Sequence, residues 1–151
     1  GTEYAMVHNA RQRDAAERFI DAGADLIVGH HPHVVQDVDL IDGVPVFYSL
    51  GNYIFDQYDT QATQEGLLLK LDFTDEPIVA ILPVTSVGNL SQPHPMDKTD
   101  HSRFLADLAE RSHPELREHI SGGYLPLSLP VATSLKMAII GGTDKPVSYV
   151  Q

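Results

Sequence analysis

Asp21-Ala22-Gly23-Ala24-Asp25-Leu26-Ile27-Val28-Gly29-His30-His31-Pro32-His33 is the stretch that decides the fold. Leu26-Ile27-Val28 reads as an apolar strand, and three imidazoles follow within four residues, where that strand ends. The run before it is helical: from Asn9 to Ala22 the apolar residues Ala15, Ala16, Phe19 and Ile20 recur at helical spacing. Arg11, Arg13, Asp14, Glu17 and Arg18 face water, and Gly23 stops the helix. Helix, loop and strand in succession predict an α/β fold and put the histidine loop at the strand's carboxyl end, where α/β sheets gather ligands.

A neutral imidazole is the commonest metal ligand, and an extended backbone points residues i and i+2 the same way. His31 and His33 are therefore the candidate metal ligands, gripping one centre or bridging two. The plainer reading is a solvated loop, or one histidine satisfying a hydrogen-bond network beneath the sheet. Gly29 before the cluster and Pro32 inside it restrict the backbone and favour metal binding or catalysis. Sequence leaves the metal's identity open, because imidazoles suit zinc, iron, manganese or nickel.

Further along, Val34 to Ile41 and Val44 to Leu50 are β-rich runs separated by Asp42-Gly43, a strong hairpin signal. Glu65 to Phe73 and Ile78 to Thr85 form a second pair, turning through Asp75-Glu76-Pro77. Both pairs are expected together in one sheet of a sandwich. Between them, Gly51-Asn52 supports a tight turn, and the asparagine amide can donate and accept at once. Gln36, as a polar strand position, is expected to face solvent. Ser102 to Ile120 predicts two short helices interrupted by Pro114, with His94, His101, His113 and His119 as ordinary surface histidines. The last thirty residues, rich in Gly and Pro, read as an irregular docking tail whose apolar segments cover a sheet flank or a partner subunit.

At 151 residues the chain is long enough for one core. Its 21 acidic against 10 basic residues give a net charge of −11, which excludes nucleic acid and anionic membranes as partners, since no basic stripe exists to neutralise phosphates. There is no cysteine, so nothing is stapled by disulfides and the compartment stays open. No apolar run approaches the roughly 18 residues of a membrane span, and no charged-then-apolar leader follows Gly1.

Gly1-Thr2-Glu3-Tyr4, then Asp21 through Gln36, then Val44-Pro45-Val46-Phe47-Tyr48-Ser49-Leu50-Gly51-Asn52-Tyr53-Ile54-Phe55-Asp56-Gln57 follow in order, and this succession closely resembles the bacterial CapA family of poly-γ-glutamate capsule synthesis proteins. The resemblance covers about residues 1 to 90. It implies a branch of the calcineurin-like metallophosphatases, here the C-terminal part of a two-sheet αββα sandwich over residues 1–89, with a helical and irregular extension over 90–151 packing on it. It implies a two-metal site of divalent ions (Mn, Zn or Fe), in which His31 and His33 each serve one metal, with His30, Glu3 and Asn52 as catalytic candidates. Glu3 would orient an imidazole or take a proton from substrate, and Asp56 is a weaker candidate.

Family members usually carry a His-Trp pair directly before the Gly-x-Glu-Tyr stretch, and no Asp-x-His or Asn-His pair precedes residue 29 here. The chain is therefore expected to be truncated and inactive alone. Implied substrates are poly-γ-glutamate or a phosphoester, implied partners other capsule-synthesis proteins or a second copy across an exposed sheet edge, and the implied location the bacterial cell envelope. The competing expectation is a non-catalytic polymer-binding or capsule-assembly module.

Overall fold

A computed structural model describes residues 1–73 and 76–127, together with the backbone of Met137–Ile140 and Tyr149–Val150. The fold is mixed α/β, with three α-helices and two sheets among the described residues. Helix α1 spans Ala10–Asp21 and starts at a capping box: the Asn9 side chain accepts from the Gln12 N–H, and the Gln12 side chain accepts from the Asn9 N–H. Strand β1, Leu26–Gly29, follows. The predicted hairpin is β2, Val38–Ile41, and β3, Val44–Phe47. Its two-residue turn has positive φ at both Asp42 (48°) and Gly43 (81°), the geometry that matches strand twist.

The first sheet runs β2-β3-β1-β8-β9, where β8 is Met137–Ile140 and β9 is Tyr149–Val150. Strand β1 lies parallel to both β3 and β8. It is buried on both faces: Leu26 and Val28 point into one apolar cluster and Ile27 into another. The Ile27 cluster lies under α1 and holds Ala16, Ile41, Val46 and Tyr48, with Phe19 and Ile20 packed against it. The other cluster is the larger core, shared with the second sheet and the later helices: Val38 and Phe47 meet Leu67, Val79, Ile81, Phe104, Leu105 and Leu108.

The second sheet is β4 (Glu65–Asp72), β5 (Ile78–Thr85) and β6 (His94–Pro95), with β7 (Tyr124–Pro126) paired to β5. The two hairpins thus lie in different sheets, not in one as their sequence suggested. The reason is local to Gly51 and Gly66, which form a single antiparallel bridge where the chain passes between sheets. A Cβ on Gly66 would come within 2.2 Å of the Asn52 carbonyl, so only glycine permits that crossing.

Beyond residue 90 the chain supplies strands as well as helices. Helix α2, Lys98–Arg111, is longer than expected and capped by Asp97, whose carboxylate accepts from Thr99 N–H and Asp100 N–H at 2.9 Å. Pro114 opens a 3₁₀ turn, Pro114–Leu116, before α3, Arg117–Ser121. Part of the tail read as irregular pairs in register with β1, Ile27 opposite Ala138 and Val28 opposite Ile139. Residues 128–136, 141–148 and 151 of that tail, and Asp75 of the Asp75-Glu76-Pro77 turn, lie outside the described residues. Among the described residues no helix is long and apolar enough to cross a membrane.

Candidate metal centre

The site is built where β1 ends. Gly29 is its last residue, and a Cβ there would stand 2.3 Å from the Tyr48 carbonyl oxygen, so the strand can pass this close to its neighbour only with glycine. The chain then turns sharply: His31 has φ 106° and His33 φ 63°, both in the left-handed region that L residues adopt at a cost. Tyr4, on the N-terminal arm, has φ 62°, and its N–H donates to the Pro32 carbonyl at 2.9 Å. This bond ties the arm to the histidine loop and brings Glu3 beside it.

Glu3, His31 and His33 each offer one ligand atom, and these atoms all lie within 4.8 Å of one another. Glu3 and His31 are exposed and His33 is half-buried. The His33 ring is fixed: its Nδ1 is 3.0 Å from Asn52 Oδ1, and the asparagine is itself oriented because its Nδ2 donates to the Thr63 carbonyl at 2.9 Å. An amide held that way presents only an acceptor to the ring. In the neutral ring His33 Nδ1 therefore carries the proton, which leaves Nε2 with a free lone pair. The donor set of two imidazoles and a carboxylate, one imidazole locked in a ligating tautomer, fits a divalent transition-metal ion. Phe55 walls one side of His33, with ring centroids 5.0 Å apart.

Of the residues singled out in the sequence, the structure brings together Glu3, His31, His33 and Asn52. His30 is outside the ligand cluster; it is solvent-exposed as a residue, while the protein around its ring disfavours the charged form and lowers its pKa. Asp56 is exposed and also outside the cluster.

Gln36, expected to face solvent, is 1% exposed. Its Nε2 donates to the carbonyls of Ala5 at 2.9 Å and Val7 at 3.2 Å, and its Oε1 accepts from Gln12 Nε2 at 2.6 Å. It is the peg that holds the arm. His8 adds a second fastening: its N–H and its Nδ1 both bond the buried Asp37 carboxylate, at 2.8 and 2.7 Å, and its ring stacks on Tyr48 at 4.1 Å. The Tyr48 hydroxyl in turn donates to Asp39, which pairs with Arg13 at 2.8 Å; burial and then the Asp39 charge push the Tyr48 pKa up. Sequence reasoning missed Asp37 and Asp39. Their alternation about Val38 mimics a water-facing strand, and only the arm and α1 above them reveal the partners.

The later histidines, His94, His101, His113 and His119, are half-buried at the surface. His113 Nδ1 accepts from the Glu115 N–H at 3.4 Å, and His119 meets Tyr124 edge-on at 5.3 Å. None of them joins the ligand cluster.

A sequence profile described as "Bacterial capsule synthesis protein PGA_cap" matches residues 1–57, which contain all of the site residues above. A Bacillus subtilis (strain 168) protein named "PGA biosynthesis protein CapA" is 48% identical over 68 residues, 45% of this chain and 18% of that protein. A Bacillus anthracis protein named "Capsule biosynthesis protein CapA" is 41% identical over 113 residues, 73% of this chain and 27% of that protein. The chain thus spans less than a third of the length of these relatives.

Proposed function

Because the chain belongs to the CapA family of bacterial capsule synthesis proteins, we propose that it contributes one side of a metal-dependent, phosphoesterase-type centre acting in the making of a capsule polymer such as poly-γ-glutamate. The observation that carries this reading is the convergence of Glu3, His31 and His33, with Asn52 fixing the ligating tautomer of His33. The two sheets with their shared core are, on this reading, the C-terminal part of a metallophosphatase-like αββα sandwich, and a location at the bacterial cell envelope accords with a capsule role.

His31 and His33 would hold divalent metal, either one ion each, as the family resemblance implies, or one between them. When bound, such an ion supplies charge stabilisation at a phosphoryl or acyl oxygen. The chain's own residues do the rest. Asn52 orients His33; Gly29 and the strained turn after it set both imidazoles beside Glu3; His30, next in the chain and exposed, is available to take or give a proton at the substrate. The substrate class that suits this chemistry is a phosphoester or a γ-glutamyl amide.

The test is turnover of bis(p-nitrophenyl) phosphate by the intact gene product with manganese or zinc. Hydrolysis that disappears in His33→Ala supports the enzyme. A second reading, a capsule-assembly or polymer-binding module in which metal only organises loops, is favoured by the small number of donors: among the described residues only three converge. Metal-dependent retention of poly-γ-glutamate with no turnover would select it.

A further inference from the structure

The stretch from Tyr53 to Tyr58 passes the candidate site without a helix or strand of its own. Among the described residues only one of its backbone groups has a hydrogen-bond partner: the Phe55 carbonyl accepts from Ser91 Oγ at 3.2 Å. We infer that Ser91 is a positioning residue of the site, whose hydroxyl latches this stretch and so keeps the Phe55 ring against His33. This role rests on the functional reading of the histidine loop given above and adds to it a residue from the second sheet.

Three observations support it. First, the hydroxyl makes two contacts at once. Ser91 Oγ stands 2.5 Å from the Tyr58 hydroxyl as well as 3.2 Å from Phe55 O. A serine has one O–H proton and here it goes to the carbonyl, so the Tyr58 hydroxyl donates to Ser91. Both ends of Phe55-Asp56-Gln57-Tyr58 are thereby pinned to one oxygen atom. Second, the segment that carries Ser91 is itself fixed. It is the 86–93 connection between β5 and β6, whose base is bonded from Ser86 N–H to Gln64 O at 2.8 Å. Its turns are closed by Asn89 N–H to Ser86 O at 3.0 Å and Gln92 N–H to Asn89 O at 2.9 Å. Ser91 has φ 55°, a left-handed conformation that serine adopts at a cost, and strain of this kind gathers at functional sites. Third, little else holds the ring. Phe55 is 43% exposed, so burial fixes it weakly, yet its ring centroid is 5.0 Å from that of His33. Gln57 Nε2 donates to the Tyr4 hydroxyl at 3.1 Å, which ties the stretch to the arm and not Phe55 to the imidazole.

Asn52 and Ser91 then divide the work at His33. The asparagine fixes the proton on the ring. The serine, 36 residues further along the chain than Phe55, fixes the apolar wall that excludes water from one flank of the imidazole.

The experiment is proton NMR of the 151-residue chain without added metal, comparing the wild type with Ser91→Gly, Ser91→Asn and Phe55→Leu. Glycine accepts the left-handed backbone and removes only the hydroxyl, so the fold is retained; melting temperature and the methyl shifts of Leu108 in the core verify this. Asparagine tolerates the same backbone and offers both a donor and an acceptor. The expected wild-type spectrum shows cross-relaxation between the Phe55 and His33 rings and a ring-current shift of the His33 protons, with Phe55→Leu giving the zero of that shift. Both signals should be lost in folded Ser91→Gly and largely recovered in Ser91→Asn. Wild-type cross-relaxation that persists in Ser91→Gly, or is absent from the wild type, overturns the latch. In the intact gene product, hydrolysis of bis(p-nitrophenyl) phosphate supplies the second readout: Ser91→Gly should lower kcat/KM by up to about 100-fold, and Ser91→Asn should restore it. Unchanged kcat/KM in Ser91→Gly overturns the role of Ser91 in the site. No hydrolysis by the wild type defeats the phosphoesterase reading alone, and the NMR result then decides the latch.

Discussion

Replacing Asn52 with alanine should weaken metal binding without touching a proposed ligand. In the folded chain Asn52 Oδ1 stands 3.0 Å from His33 Nδ1, and Asn52 Nδ2 donates to Thr63 O at 2.9 Å. Deleting the amide frees the imidazole to exchange its proton between nitrogens and to rotate. Outer partners of ligating histidines contribute about 10- to 100-fold in metal affinity, which is about 1.4 to 2.7 kcal/mol at 1.36 kcal/mol per decade. The Thr63 carbonyl loses its donor as well, at a cost to stability of about 1 to 3 kcal/mol if water does not replace it. Asn52→Asp keeps the acceptor facing His33 and should recover most of the affinity, though not the bond to Thr63. Zinc calorimetry gives the affinities, and nitrogen-15 shifts of the His33 ring give the tautomer. An Asn52→Ala protein that is folded, binds zinc within twofold of wild type and keeps the Nδ1–H tautomer would refute the reasoning.

Gly29→Ala should lower the melting temperature sharply, because the added Cβ meets the backbone oxygen of Tyr48 at 2.3 Å and neither strand can yield alone; overpacking of this kind costs about 1 to 3 kcal/mol or more, readable in a urea titration. Leu108→Ala empties a fully buried position in the larger core and should cost about 2.7 to 5 kcal/mol by the same titration, with metal affinity preserved. Gln36→Leu removes the donor shared by the Ala5 and Val7 carbonyls and should speed proteolysis and amide exchange across residues 1 to 8 while the second sheet is unaffected.

Burial raises the Glu65 pKa above the ordinary glutamate value, against smaller lowering effects from Gln61 and Arg103. The folded state therefore holds that proton more tightly than the unfolded one. The resulting stability is present in acid and is lost as pH rises from the ordinary glutamate range through the raised folded value. Glu65→Gln should raise the melting temperature near neutral pH and lose that advantage in acid, as thermal scans across pH would show.

How far the sequence carried the account depends on whether the deciding contacts were local. Helix α1 and strand β1 were legible because period and punctuation agree: Ala16, Phe19 and Ile20 share a face, Gly23 ends the helix, and Leu26-Ile27-Val28 follows. The Asp42-Gly43 turn was legible for the same reason. Assignment of the hairpins to sheets was not, because it turns on the close approach of Gly51 to Gly66, a contact 15 residues apart that no hydrophobic period encodes. Nor was the parallel pairing of Met137–Ile140 with β1, more than a hundred residues away in the chain.

Within the site, His31 and His33 stood out by type and spacing, and Asn52 through the family resemblance. The arm's fastenings did not. Gln36, Asp37 and Asp39 look like the polar positions of a half-exposed strand until the arm and α1 fold over them and supply Ala5, His8 and Arg13 as partners. Burial of polar groups is visible in sequence only when its partners are nearby, and these lie 26 to 31 residues back.

The central claim, that this chain presents a metal-binding face built from the N-terminal arm and the histidine loop, is tested most directly by anomalous diffraction from crystals grown with manganese. The account predicts an anomalous peak within coordination distance of the Glu3 carboxylate and of the imidazoles of His31 and His33. A peak elsewhere on the chain, or no peak at a manganese concentration that saturates binding in solution, would contradict it.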